Sequence, residues 1–284
     1  FVLFRSYWHY LPGIRASLLD PVAPHQQIEW RSGPAQAPVG ERPPNIIVIV
    51  ADDLGYNDIS LHGGVAGGRV QTPNIDALAR EGVQVEAGYA ANATCSPSRA
   101  AIMTGRYASR FGFEFTSAPV EFARYLSRAN PDALRQPIFH QQRVGQTPPL
   151  ERLGMPASEI TIAEHLRAAG YRTLHIGKWH LGDTDEMRPE AQGFDESLGF
   201  MEGAAMFMPR QDPGVVNAYL PFDPIDRFLW ANLPYAVRYN GGQRFRPRGY
   251  LTDYFTEQAV AAINANRNRP FFLYLSYNAP HTPL

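Results

Sequence analysis

The chain has 284 residues, 44% hydrophobic and 19% charged, with a formal net charge of −1, which describes a folded globular protein and excludes global attraction to nucleic acid or anionic lipid. Its length accommodates one large domain or two small ones. No run of about 20 apolar residues offers a membrane-spanning helix, a single cysteine excludes an internal disulfide, and 25 prolines with 24 glycines predict many loops.

Residues 1–44 are aromatic at their start (Phe1, Phe4, Tyr7, Trp8, Tyr10) and broken later by Pro34, Pro38, Pro43 and Pro44. The end of this stretch is a poor candidate for regular structure, and the whole reads as an extension leading into a domain over 45–284. That domain opens with a β-branched run at 45–51, the pattern of a strand buried on both faces of a parallel sheet. The run stops at Asp52-Asp53. A helix is predicted over 72–81, with Thr72 as cap, Pro73 in the first turn and Gly82 closing it. A short strand over 83–89 follows, then a helix from about Ser96-Pro97 to Gly105. Residues 114–157 carry no sustained period. Ser158-Glu159-Ile160-Thr161 leads a helix closed by Gly170, and a strand over 171–176 stops at Gly177-Lys178-Trp179-His180. Residues 183–250 form a long irregular stretch rich in Met, Phe, Tyr and Pro. The last unit is a helix over 252–265, a strand over 270–277, and then Asn278-Ala279-Pro280-His281.

This alternation predicts an α/β fold with a mostly parallel central sheet and helices on both faces. Asp52-Asp53, Lys178 with His180, and His281 each come just after a predicted strand. Open α/β sheets bind ligands at the carboxyl edge of their strands, so these segments are expected to converge on one site.

The residue types point to chemistry there. Asp52 and Asp53 either form a solvated turn or hold a cation that relieves their repulsion, and oxygen ligands suit calcium or magnesium. Lys178 is the one lysine among 26 basic residues. Base composition explains the arginine bias, and against it a surviving lysine marks a place needing a compact ammonium. Cys95 precedes a helix; a lone cysteine there is ordinarily a small core residue, but the free N–H groups of the helix favour an anion beside it. His165 and His175 read as packed or exposed. His62 adjoins the Gly-rich loop 63–68, which lacks the Gly-Lys-Ser/Thr of a nucleotide-binding loop. The Met-aromatic stretch 200–208 reads as packing or as the lining of a substrate cleft. Asn92-Ala93-Thr94 has the form of a glycosylation acceptor by chance.

The run from Cys95-Ser96-Pro97-Ser98-Arg99 through Thr104-Gly105-Arg106 resembles the signature of the type I sulfatases, arylsulfatase-like members of the alkaline phosphatase superfamily. In that family Cys-x-Pro-x-Arg directs oxidation of the cysteine to formylglycine (3-oxoalanine). The segment from Ala51 to Tyr56 resembles the family's metal-binding run, and Gly177 to Gly182 is similar to its GKWHLG segment. The resemblance implies a sulfuric ester hydrolase with an alkaline-phosphatase-like fold. It implies that Cys95 is the modified nucleophile, oriented by Arg99. Lys178 and His281 then bind sulfate, His180 acts as base, and His281 also protonates the leaving alcohol. Asp52, Asp53 and residue 95 hold Ca2+, with Mg2+ as the substitute. A hydrated aldehyde offers one hydroxyl to attack sulfur and a second to expel sulfate, whereas a thiolate would be left as a stable S-sulfonate.

The implied partners are a sulfate-ester small molecule or sulfated glycan and a formylglycine-generating maturation enzyme, with no nucleic acid. Tyr7, Trp8 and Tyr10 resemble an interfacial aromatic cluster, so export to a periplasm or membrane association is expected. The resemblance covers residues 45–113, 158–199 and 251–284. The family's Asp-Asn metal ligands and second sulfate-binding lysine have no match, so the chain is expected to be the N-terminal part of such an enzyme, its C-terminal portion absent. Two rivals stand beside it: a formylglycine-dependent phosphonate or phosphate ester hydrolase, and an inactive truncated fragment. Specificity is expected from the irregular segments 114–157 and 200–250.

Overall fold

The computed structural model describes residues 8–129, 134, 135, 137–218, 223 and 225–283. Phe1, Phe4 and Tyr7 of the aromatic start lie outside them. Five strands form one sheet: β1 (Ile46–Val50), β2 (Arg172–Lys178), β3 (Glu196–Phe200), β4 (Arg238–Tyr239) and β5 (Phe271–Ser276). Their order is β1-β5-β2-β3-β4. The first four in that order run parallel, and β4 lies antiparallel to β3. Helices cover both faces of the sheet, as the alternating pattern predicts.

Side chains alternate across a strand, and β5 shows how that builds two cores. Phe271, Leu273 and Leu275 join a cluster with helix α7 (Leu251–Asn266), through Leu251, Phe255, Ala259 and Ala262. Phe272 and Tyr274 face the other way, into a cluster with Ala100 and Met103 of α3 (Cys95–Thr104) and Ala163 of α5 (Ile162–Ala168). Each fully buried side chain of this size contributes about 1.5–3 kcal/mol. The helix α5 is closed at its start by a reciprocal cap, in which Thr161 accepts from the Glu164 N–H and Glu164 accepts from the Thr161 N–H.

Several expectations are corrected. The first strand is not buried on both faces. β1 is an edge strand, and the helix on one side, α7, lies over β2 and β5. Ile47 and Ile49 are therefore 46% and 58% exposed, while Ile46, Val48 and Val50 pack on the α3 layer. No strand forms over 83–89; Val83, Val85 and Tyr89 are exposed and meet no sheet edge. Helix α2 (Pro73–Glu81) forms as expected, but Thr72 donates its hydroxyl to Asp76 and does not cap the backbone. The aperiodic stretch 114–157 contains α4 (Val120–Ala129), whose Phe122 and Tyr125 both pack on Phe228. The irregular stretch 183–250 contains β3, β4 and α6 (Asp226–Asn232).

Several of the described N-terminal residues pack against the rest of the chain. Helix α1 (Leu11–Leu19) starts with Pro12 in its first turn, and the Gly13 N–H donates to Asn232 Oδ1 of α6 at 2.7 Å. Trp8 and His9 rest against Tyr125. Further on, Trp30 is buried in the α7-side core, and the Arg31 N–H donates to Glu196 on β3. Among the described residues no helix is long and apolar enough to cross a membrane.

Candidate active site

The carboxyl edge of the sheet collects the polar residues. Asp52 leaves β1 with its N–H donated to the Ala279 carbonyl at 3.0 Å, which ties it to the loop after β5. That loop carries His281. Asp53 turns out with a left-handed φ of 63°, an unusual conformation for a residue with a side chain. Lys178 ends β2 and His180 follows it, also left-handed at φ 56°.

Cys95 is the first residue of α3, and the turn before it is fixed by Asn92, whose Oδ1 accepts from both the N–H and the hydroxyl of Thr94 at 3.0 Å. The amide of Asn92 is thus part of the turn. Arg99 lies one turn further along, on the face that carries Cys95. Arg99 is 2% exposed. It pairs with Asp52 Oδ1 at 2.8 Å, donates to the Lys178 carbonyl at 3.1 Å, and donates to the Ser276 hydroxyl. Gly177 permits this closeness: at φ 114° its missing Cβ would overlap the Ser276 carbonyl.

Asp52 is the hub. Its second oxygen pairs with the Lys178 ammonium at 2.5 Å, and Lys178 is fully buried. Burial alone would raise the Asp52 carboxyl, but Lys178 and Arg99 outweigh it and hold it below the usual carboxylate range. Burial, with the Arg99 charge, lowers Lys178 despite its carboxylate partner.

The His281 ring hydrogen-bonds the Cys95 thiol. Burial pushes that thiol up, but the bond from His281 and the Lys178 charge more than compensate, so it is more acidic than a free cysteine. For His281 burial works downward, and the bond to Cys95 leaves it more basic than ordinary. The unmodified thiol is accordingly expected to be alkylated by iodoacetamide with a midpoint at lower pH than free cysteine. His281→Ala should move that midpoint up; a midpoint at or above the free-thiol value in the parent chain would contradict the arrangement.

His180 is also buried, but its hydrogen bond runs from Nε2 to the Ser117 carbonyl at 3.0 Å. Burial, then the Lys178 charge, holds it well below the ordinary histidine range, so it is neutral. A carbonyl only accepts, so Nε2 carries the proton and Nδ1 keeps its lone pair. Gly203 faces the ring, where a Cβ would lie 2.8 Å from Cε1.

Asp52, Cys95 and His281 place ligand atoms within 4.8 Å of one another. Asp53, 58% exposed in its side chain, reaches His281 Nε2 at 3.6 Å and adds two oxygens at the rim. The oxygens of two adjacent acids suit calcium or magnesium, although calcium takes about 6–8 ligands and these residues supply fewer.

The structure therefore brings Asp52, Arg99 and Lys178 into direct contact and places Cys95 and His281 within 4.8 Å of Asp52, with Asp53 at the rim. His180 lies within electrostatic reach of Lys178 and makes its hydrogen bond elsewhere. Sequence reasoning missed Ser276 and Ser117. Ser276 had a signal, as the polar residue ending an apolar strand; Ser117 contributes a backbone carbonyl and had none. His175 is fully buried among Trp179, Phe194 and Tyr274, and burial pushes it down to about 3. His165 is exposed, and His62 stacks on Tyr56.

Known proteins carry the same arrangement of sequence. The family model described as Sulfatase matches residues 44–284. N-acetylgalactosamine-6-sulfatase of Mus musculus is 32% identical over 247 residues, covering 86% of this chain and 41% of the relative. Among solved structures, Ps i-CgsB in complex with k-i-k-neocarrahexaose superposes with a TM-score of 0.58 at 33% identity, covering 84% of this chain and 46% of that one. BT4656 in complex with its substrate D-glucosamine-2-N,6-O-disulfate gives 0.55 at 26% identity, covering 85% and 35%. The chain thus spans less than half the length of each.

Proposed function

The chain belongs to the sulfatase family, and on that premise we propose that its gene product hydrolyses sulfuric esters of saccharides, with Cys95 matured to formylglycine and a divalent cation held by Asp52 and Asp53. The observation that supports this most is the meeting of Cys95, Asp52 and His281 within 4.8 Å beside a buried lysine and arginine. The relatives bearing sulfatase names, and the sulfated sugar in the BT4656 complex, support the substrate class. The aromatic N-terminal residues support export as a further part of the proposal.

The formylglycine hydrate supplies a hydroxyl nucleophile toward sulfur and a second hydroxyl for release. A divalent cation, calcium or magnesium, supplies positive charge for the non-bridging sulfate oxygens. The remaining roles belong to the chain itself. Arg99, clamped by Asp52, the Lys178 carbonyl and Ser276, fixes the orientation of the group at position 95. Lys178 presents its ammonium to a sulfate oxygen in a site closed to water, where charge is worth most. His281 holds a proton at Nδ1 on the Thr282 carbonyl, so it donates to the departing alcohol as the imidazolium, from the second proton at Nε2. His180 keeps a lone pair at Nδ1 and takes up a proton there.

Parallel assays on an aryl sulfate and an aryl phosphate test this reading in the gene product that contains this chain. Preference for the sulfate ester is expected; preference for the phosphate would transfer the same machinery to phosphoryl or phosphonyl substrates. Lys178→Arg is expected to lower kcat/KM at least about tenfold, because a planar fork cannot occupy a fully buried ammonium position without displacing Asp52. Activity equal to that of the parent would remove the role assigned to Lys178.

A further inference from the structure

A cavity of about 480 Å³ lies between α1, residues 206–211 and the end of α6. Its charged lining is Arg210, Arg244 and Arg246, with no carboxylate among the lining residues. Arg244 is buried and paired, to Asp20 at 2.9 Å and more loosely to Glu202 at 3.4 Å. Arg210 differs. It is half-buried, donates to the Leu233 carbonyl at 2.6 Å, and lies 5.0 Å over the Trp230 ring, with no acidic partner within ion-pair distance among the described residues. Its Nε is buried and has no hydrogen-bond partner among the described residues.

A guanidinium stays charged in proteins and presents a planar fork to carboxylate, sulfate or phosphate. Burying such a charge without a carboxylate partner is costly, and Arg210 is one of the residues that line the cavity. The other walls include Tyr10, Tyr235, Met206 and Met208, amphipathic or apolar surfaces suited to the carbon face of a sugar.

Hydrogen bonds link the segments that line the cavity to the catalytic loop. Ala205, next to Met206, accepts a hydrogen bond from Asn278, and Asn278 accepts from the His281 N–H. Thr282 donates to Asp226 at the start of α6, and the other end of α6 lines the cavity.

We propose that this cavity is an accessory anion site, in which Arg210 binds a sulfate or carboxylate group of an acidic oligosaccharide, beside the unit whose ester is cleaved. The inference rests on the saccharide reading above and extends it to a second, non-reacting sugar unit. It assigns the Met-aromatic stretch 200–208 a place in substrate contact as well as in packing.

Calorimetric titration of the gene product that contains this chain tests it with three probes: N-acetylgalactosamine 6-sulfate, a chondroitin 6-sulfate tetrasaccharide, and the same tetrasaccharide chemically desulfated. The sulfated tetrasaccharide is expected to bind about tenfold or more tighter than the monosaccharide, the increment of one charge-assisted contact. Arg210→Ala should remove that increment and Arg210→Lys should keep part of it. Retention of the increment by the desulfated probe assigns the site to carboxylate, and its loss assigns the site to sulfate. In the parent chain, the tetrasaccharide should also shift the Trp230 indole N–H resonance, which requires no variant to fold. Equal affinity for monosaccharide and tetrasaccharide, or a tetrasaccharide increment unchanged in Arg210→Ala, would overturn the proposal, as would an unmoved Trp230 signal. Failure of the hydrolase reading shows separately, as absence of aryl sulfate cleavage by the parent gene product, an assay without any oligosaccharide.

Discussion

Replacing Cys95 by alanine is expected to abolish sulfate ester turnover, lowering kcat by on the order of 10⁴-fold or more, as removal of a nucleophile does in other hydrolases. Alanine leaves the helix start intact, because Thr94 and Asn92 fix that turn without the side chain at position 95. Arg99, Lys178 and Asp52 also keep their mutual contacts, since none of those bonds passes through the sulfur. The variant should therefore melt within about 1 kcal/mol of the parent, a change typical of losing one hydrogen bond. Steady-state assay of an aryl sulfate, with thermal unfolding alongside, separates the two effects. Residual turnover within about tenfold of the parent would place the nucleophile elsewhere.

The second large effect concerns stability as well as activity. Asp52→Asn is expected to destabilise the fold by about 3–5 kcal/mol, the range for removing one partner of a buried ion pair. The reason is arithmetic of charge. Asp52 is 5% exposed and is the carboxylate for both Arg99 and Lys178, which are themselves 2% and 0% exposed. Asparagine keeps an acceptor for one of them and leaves two buried cations facing each other. The pH dependence follows from the direction of the Asp52 shift. Its folded carboxyl lies below the ordinary value, so its contribution is fully present above the unfolded value of about 3.9 and is lost as pH falls through the folded one. Denaturant unfolding at neutral pH should show the full gap between parent and variant, and the gap should narrow in acid. A gap below about 1 kcal/mol at neutral pH would mean that Lys178 sheds its proton cheaply and that the hub is not the stabilising element described.

Much of this was legible in the sequence, for reasons that can be named. The strands that became β2 and β5 are apolar runs followed abruptly by Lys178, His180 and His281, and an abrupt change from apolar to charged residues marks where a buried strand reaches the surface of a sheet. Because three such edges are parallel neighbours, their ends had to meet. The helix start beside Cys95 was readable to within a residue, from Ser96-Pro97. What escaped reading depends on neighbours. β1 has the same composition as a doubly buried strand, yet Ile47 and Ile49 are exposed because the helix on that face lies over other strands. β3 was invisible because Glu196 and Gly199 interrupt its apolar pattern. In the fold Glu196 is neutralised by Arg172 at 2.6 Å, and a Cβ at Gly199 would overlap the Gly177 carbonyl. α4 is ten residues long, too short to establish a period against the prolines around it. At the site, the motif residues announced themselves singly, but the sharing of Asp52 between Arg99 and Lys178 is a fact of three dimensions. So is the cavity beside Arg210, where nothing in a string of letters separates an arginine with a carboxylate partner from one without.

The most direct test of the chemistry is peptide mass spectrometry of the tryptic fragment carrying Cys95, from chain produced in a host that has the maturation enzyme. The expected result is an aldehyde at position 95 in place of the thiol, trapped as a hydrazone, with Cys95 recovered unmodified from a host lacking that enzyme. Recovery of the unmodified thiol alone from both hosts would contradict the formylglycine mechanism.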